Sequence, residues 1–136
     1  MLQRKGDKVR TQFNKLLTLQ MTHTTFPWNT VRNEIERPNG SPIEKMIDYI
    51  VESKLSESLH AATMLTNLRI GRSENFSRND GELTIEHIKQ TDSIVFNYYS
   101  SENSEPWQKK CKSNEIISTF KYVISKRLRW VQNAES

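Results

Sequence analysis

Leu83-Thr84-Ile85-Glu86-His87-Ile88-Lys89-Gln90-Thr91-Asp92-Ser93-Ile94-Val95-Phe96-Asn97-Tyr98-Tyr99 is the stretch on which the fold class turns. Leu83 and Ile85, then Ile94, Phe96 and Tyr98, alternate as two strands would around a turn at Lys89–Asp92, whereas Ile85, Ile88, Val95, Phe96 and Tyr99 share one helical face. The helical reading is preferred, with a β-hairpin over 84–99 as the alternative. A helix here makes the chain mainly α; a hairpin makes it α+β.

Downstream, Ile116, Ile117, Phe120, Val123, Ile124, Leu128 and Val131 define the strongest amphipathic pattern and predict a helix over 107–131. It is capped at Asn114 or already under way from Pro106. Lys121, Lys126 and Arg129 lie off its apolar stripe, but Arg127 falls close to the stripe's centre. That placement implies a narrowing of the apolar face or an acidic partner. Upstream, residues 71–82 are polar except for Phe76, and Asn79-Asp80-Gly81 has turn chemistry, so a loop is expected. Before it, Leu59, Ala62, Leu65 and Leu68 recur at helical spacing and predict a helix over 57–70, with Gly71 as a left-handed stop. Ser41-Pro42-Ile43-Glu44 has an N-cap, a proline at the first helical position and a capping-box carboxylate, so a helix begins at Pro42. Ser53, Ser56 and Ser58 break it near 53–57. Trp28, Val31 and Ile35 predict a short helix over 27–37, ended by Arg37-Pro38-Asn39-Gly40. Val9, Phe13, Leu16, Leu17 and Met21 predict another over 7–22, capped by Asp7. The expected architecture is a single compact helical domain of about five helices spanning 1–136, with flexible ends at 1–6 and 133–136.

Composition bounds the function. Four glycines cannot assemble a phosphate-cradling loop, and one cysteine, Cys111, makes neither an internal disulfide nor a zinc knuckle. No apolar run reaches the roughly 18 residues of a membrane span, and the basic start does not lead into one as in a signal peptide. A reducing intracellular compartment such as the cytoplasm is expected, and the sequon Asn75-Phe76-Ser77 then carries no weight. His23, His60 and His87 are scattered and form no metal pattern. Glu34/Glu36 and Glu82/Glu86 have spacings common on solvated faces. Cys111, between Lys110 and Lys112, is a candidate thiolate, because neighbouring positive charge lowers a thiol pKa. No catalytic residue, metal or cofactor is expected.

Charge is segregated. Residues 1–15 carry five basic groups against one acid, 16–103 eight against twelve, and 104–136 seven against three. Three clusters combine cations with planar rings, as nucleic-acid contact needs: Arg69, Arg72 and Arg78 around Phe76; Lys109, Lys110 and Lys112 after Trp107; and Lys126, Arg127 and Arg129 before Trp130. Glu74, Asp80 and Glu82 offset the first cluster, and the two tryptophans have an equally natural role as core anchors. Two helical patterns within 42–71 also admit a helix-turn-helix, which a hairpin at 83–99 would extend to a winged-helix arrangement. The expectation is a small noncatalytic binding or regulatory protein that contacts nucleic acid through its basic ends. The alternative is a protein-binding adaptor or inhibitor using the acidic middle and an amphipathic helix face. A second copy of the chain is a further partner left open; a membrane is not.

Overall fold

The computed structural model describes residues 23–34, 41–64 and 67–132. Its centre is a five-stranded antiparallel meander: β1 (His60–Met64), β2 (Asn67–Gly71), β3 (Glu82–Ile88), β4 (Ser93–Tyr99) and β5 (Trp107–Lys112), paired in sequence order. Among the described residues three short helices accompany it, α1 (Trp28–Glu34), α2 (Pro42–Glu52) and α3 (Ile116–Tyr122). The protein is therefore α+β, and the mainly helical expectation is overturned.

Residues 83–99 are the hairpin β3–β4, with Leu83 opposite Tyr98 and Ile88 opposite Ser93. Leu68, Ile70, Leu83, Ile85, Ile94 and Phe96 are all fully buried, in one core with Val31, Ile47, Ile50 and Phe120. Side chains alternate across a strand, so Ala62, Arg69, Glu82, Thr84 and Val95 lie on the opposite face. That face is also buried at Ala62, Glu82, Thr84 and Val95. The period of two is present in β3, where Glu82, Thr84 and Glu86 alternate with Leu83 and Ile85, but the buried Val95 between Ile94 and Phe96 interrupts it in β4 and admits the helical face.

The expected helix over 57–70 is instead a 3-10 turn at Lys54–Glu57 followed by the hairpin β1–β2, with Ala61 opposite Ile70. Its spacing came from Leu59, Ala62, Leu65 and Leu68; Ala62 and Leu68 are buried on opposite faces of this hairpin, Leu59 is buried just before it, and Leu65 lies outside the described residues. The second helix of a helix-turn-helix is thereby absent, and the winged-helix arrangement falls with it. Gly71 ends a strand rather than a helix; it is glycine because a Cβ there would collide with the Phe76 ring. The left-handed glycine is Gly81, at φ 91°, where the chain turns into β3.

The helix at Pro42 is as expected: Ser41 Oγ accepts the Glu44 N–H at 3.2 Å, and Ser53 closes the helix while capping the 3-10 turn after it. Its stripe Ile43, Met46, Ile47 and Ile50 is buried. Trp28 fastens α1, donating its indole N–H to the Leu59 carbonyl at 3.0 Å. The expected helix over 107–131 is split. Trp107–Lys112 is edge strand β5, and Glu115 accepts the Lys112 N–H at 3.2 Å to turn the chain into α3. Residues 7–22, the ends at 1–6 and 133–136, and 35–37 of the second expected helix lie outside the described residues.

Candidate nucleic-acid interface

The site is built by the way the C-terminal helix ends. After Tyr122 the helix widens into a π turn, Val123–Arg127, in which Leu128 N–H donates to the Val123 carbonyl at 2.8 Å. The extra residue in this turn rotates the succeeding side chains around the helix axis. Val123 and Ile124 stay buried, while Arg127 leaves the apolar stripe and places its guanidinium 4.9 Å from the Trp107 ring centroid. Arg129 then adopts a left-handed conformation, φ 56°, and the reversed chain lets Trp130 N–H donate to the Ile124 carbonyl at 2.8 Å.

That reversal folds Trp130 back onto the sheet. Its ring meets Tyr98 edge-on at 5.8 Å and 76°, and the guanidinium of Arg72, one residue beyond β2, lies 5.5 Å from its centroid. Tyr98 is in turn the cross-strand partner of Trp107. One end of the sheet thus gathers Arg72, Tyr98, Trp107, Arg127 and Trp130 from four separate segments. The three rings are half-buried against the core, and both arginines are exposed. Beside them lies a hollow of about 480 Å³ lined by Ser125, Lys126, Arg129, Trp130, Val131 and Gln132.

The structure divides the nine basic residues singled out in the sequence. Arg72, Lys126, Arg127 and Arg129 come together at this end. Lys109 shares a strand face with Trp107, two positions along, and its ammonium stands 5.5 Å from the Tyr122 ring. Lys110 and Lys112 are both exposed; Lys110 is on the other face of β5, as is Lys112. Arg69 and Arg78 are committed elsewhere, to Glu82. Arg69 Nη1 donates to Glu82 Oε2 at 2.9 Å, and Arg78 Nε lies 3.6 Å from the same oxygen with its guanidinium 4.1 Å from the Tyr99 centroid.

Glu82 is fully buried. Burial alone pushes its carboxyl up, but the hydrogen bond from His23 and the charges of His23 and Arg69, with a 3.0 Å bond from Thr84 Oγ1, outweigh it and hold the pKa below 4.5. The carboxylate neutralises Arg69 and Arg78 of the first basic cluster from inside, so Glu82 is not a surface acid and does not pair with Glu86 as a catalytic dyad. Cys111 is corrected too. Burial raises its thiol pKa above 9.0, outweighing the Thr119 hydrogen bond and the charge of Lys109, so it is a poor thiolate.

Ser113, Asp92 and His87 adjoin, but Ser113 Oγ donates to Asp92 at 2.7 Å and His87 Nε2 bonds the same carboxylate at 2.8 Å. A hydroxyl held by a carboxylate rather than by an imidazole is not an activated nucleophile; the trio pins the β3–β4 turn to the end of β5. Among the described residues no group of three or more His, Cys, Asp or Glu is placed to hold a metal, and no helix is long and apolar enough to cross a membrane. Comparison with protein families, curated proteins and solved structures finds no match for this chain. Tyr98, which joins the two tryptophans, is the residue that sequence reasoning missed. Beyond the inventory of cations and tryptophans, the sequence hints at their grouping through Arg127, which stands where an apolar side chain belongs.

Proposed function

We propose that the protein is a noncatalytic nucleic-acid-binding protein whose contact surface is the arginine and aromatic cluster at the Trp107–Trp130 end of the sheet. The observation that supports this reading is the pairing of two half-buried indoles with two exposed guanidiniums, Arg127 on Trp107 and Arg72 on Trp130. An exposed cation on an aromatic ring is worth about 0.5–1 kcal/mol. A nucleobase stacked on such a ring is worth about 1–3 kcal/mol. Exchange is therefore favourable: a base takes the indole, and the displaced guanidinium turns to the adjacent phosphate. Lys126 and Arg129 beside the hollow, and Lys109 two residues from Trp107, supply further phosphate partners. Bases must be unstacked to meet the rings, so a single strand is the form that fits.

Fluorescence anisotropy with labelled single-stranded DNA and RNA oligonucleotides at several salt concentrations tests the reading. Replacing Lys126, Arg127 and Arg129 together with Gln is expected to weaken binding and to reduce the slope of log affinity against log salt by about 2, since each single-strand phosphate contact contributes roughly 0.7. Circular dichroism controls for folding. Unchanged affinity and slope in the folded variant would remove the C-terminal segment as the contact, and a wild type that binds no oligonucleotide would sink the reading.

A further inference from the structure

Among the described residues, the outer edge of β5 has a defined set of main-chain groups without a partner. β5 is last in the sheet order, and among the described residues it pairs with β4 alone. Ser113 N–H donates to the Asp92 carbonyl at 3.1 Å, one register step beyond the pair Ser93 and Lys112. In an antiparallel ladder, opposed residues that exchange bonds alternate with those that do not. The residues bonded inward to β4 are therefore Trp107, Lys109 and Cys111, while the N–H and C=O groups of Gln108 and Lys110 point away from the sheet. The side-chain bond from Gln108 Nε2 to Asn97 Oδ1, 2.9 Å, agrees with this phase, because side chains approach most closely in the non-bonded pairs.

The open stretch is bounded at both ends. Pro106 has no N–H, and the Lys112 N–H is taken by Glu115. Between them Trp107–Cys111 offers room for a strand of about five residues, roughly 17 Å. The side chains around it are exposed and basic: Lys110 and Lys112 on one face, Lys109 on the other. A second copy of β5 would set lysine against lysine, which opposes self-pairing. The same lysines attract carboxylates on either face. We propose that the β5 edge accepts an extended acidic segment of a partner protein as a sixth strand, held by the main chain of Gln108 and Lys110 and selected by Lys109, Lys110 and Lys112. Main-chain pairing supplies adhesion that any sequence could use, so the choice of partner falls to charge. This surface shares Lys109 with the nucleic-acid reading but does not rest on it, since Gln108, Lys110 and Lys112 lie outside that site.

Amide hydrogen exchange on the full chain tests the proposal, with a blocked peptide alternating Glu and Val as the probe. At about ten times its dissociation constant the peptide is expected to slow exchange at Gln108 and Lys110 about tenfold, with Lys109 and Cys111 slowed by no more than the same factor, since the peptide must leave before β5 opens. Lys110→Pro removes an outward N–H that makes no ladder bond, so a folded variant is expected to lose the protection. Should that variant fail to fold, charge reversal with Lys109→Glu, Lys110→Glu and Lys112→Glu is expected to transfer the protection to a peptide alternating Lys and Val. The proposal is overturned if the wild type shows no slowing with the Glu peptide or equal slowing with the Lys peptide. Slowing that rises with protein concentration in the absence of peptide, or slowing by a single-stranded oligonucleotide, would assign the edge to another occupant and overturn it as well.

Discussion

Glu82 shows how one side chain sets the pH range of the fold. It is fully buried, with Arg69 at 2.9 Å, Arg78 at 3.6 Å and His23 on its other oxygen. Since these partners hold its folded pKa below the ordinary 4.5, the unfolded chain binds the proton more readily. The stability it contributes is complete above about pH 4.5 and is lost as pH falls through the lowered value. Asp92, also lowered by Ser113 and His87, acts in the same direction. Glu82→Gln is expected to cost about 3 kcal/mol near neutral pH, because it leaves buried cations without their counter-charge. Denaturant unfolding at several pH values should show a flatter acid limb in that variant, and an unchanged limb would mean that other carboxylates carry it. Arg129 poses the opposite case. Its left-handed φ of 56° costs a residue with a Cβ roughly 1–2 kcal/mol, of which glycine returns part through its own unfolded-state entropy. Arg129→Gly is thus expected to raise stability by up to about 1 kcal/mol while weakening oligonucleotide binding. Unfolding midpoints and anisotropy measured on the same sample separate the two effects, and a variant both less stable and equally tight would contradict them.

Among the elements, α2 and α3 give the most direct tests. Ser41→Ala removes the acceptor for the Glu44 N–H and is expected to cost about 1 kcal/mol. Phe120→Ala empties a fully buried position between α3 and the sheet and is expected to cost about 3–5 kcal/mol. Chemical denaturation checks both, and an unchanged midpoint for the second would place that ring outside the core. These two helices were legible in the sequence because their signals are local: a cap, a proline at the first position, and an apolar stripe on one side. The central hairpin was legible only as the alternative reading: Glu82, Thr84 and Glu86 alternate with Leu83 and Ile85 in β3, but the apolar run Ile94-Val95-Phe96 has no polar alternate residue and lets a helical face be drawn across the turn. Ala61 and Ala62 repeat the pattern in β1. β5 fails in the other direction, since Gln108, Lys109 and Lys110 are exposed and an edge strand of this kind has no hydrophobic period to read. The site was legible as an inventory of cations and tryptophans but not as a grouping. Arg72 and Trp130 meet only because a π turn and a left-handed arginine bring the C-terminus back over Tyr98.

At the scale of the whole molecule, cohesion is unevenly distributed. β3 is bonded to β2 on one side and β4 on the other, and its residues Glu82–Ile85 are buried on both faces. β5 is bonded on one side alone, with its middle residues exposed. Opening β3 must break two ladders, expose Leu83 and Ile85, and strip Glu82 of its cations. Opening β5 breaks one ladder and exposes part of Trp107 and Cys111. Elements with few buried contacts open at a lower free energy than the whole protein. Native-state hydrogen exchange should therefore place Leu83, Ile85 and Val95, whose amides face β2 or β3 rather than β5, at the free energy of global unfolding. The inward-bonded amides of Lys109 and Cys111 should exchange through a smaller opening, and the outward amides of Gln108 and Lys110 faster still. The outward class then serves as a ruler for any ligand on that edge, since those amides have no ladder bond of their own and slow only when something pairs with them. If Lys109 exchanged as slowly as Ile85, β5 would be part of the global unit, and its edge would be a rigid template rather than a separately opening strand.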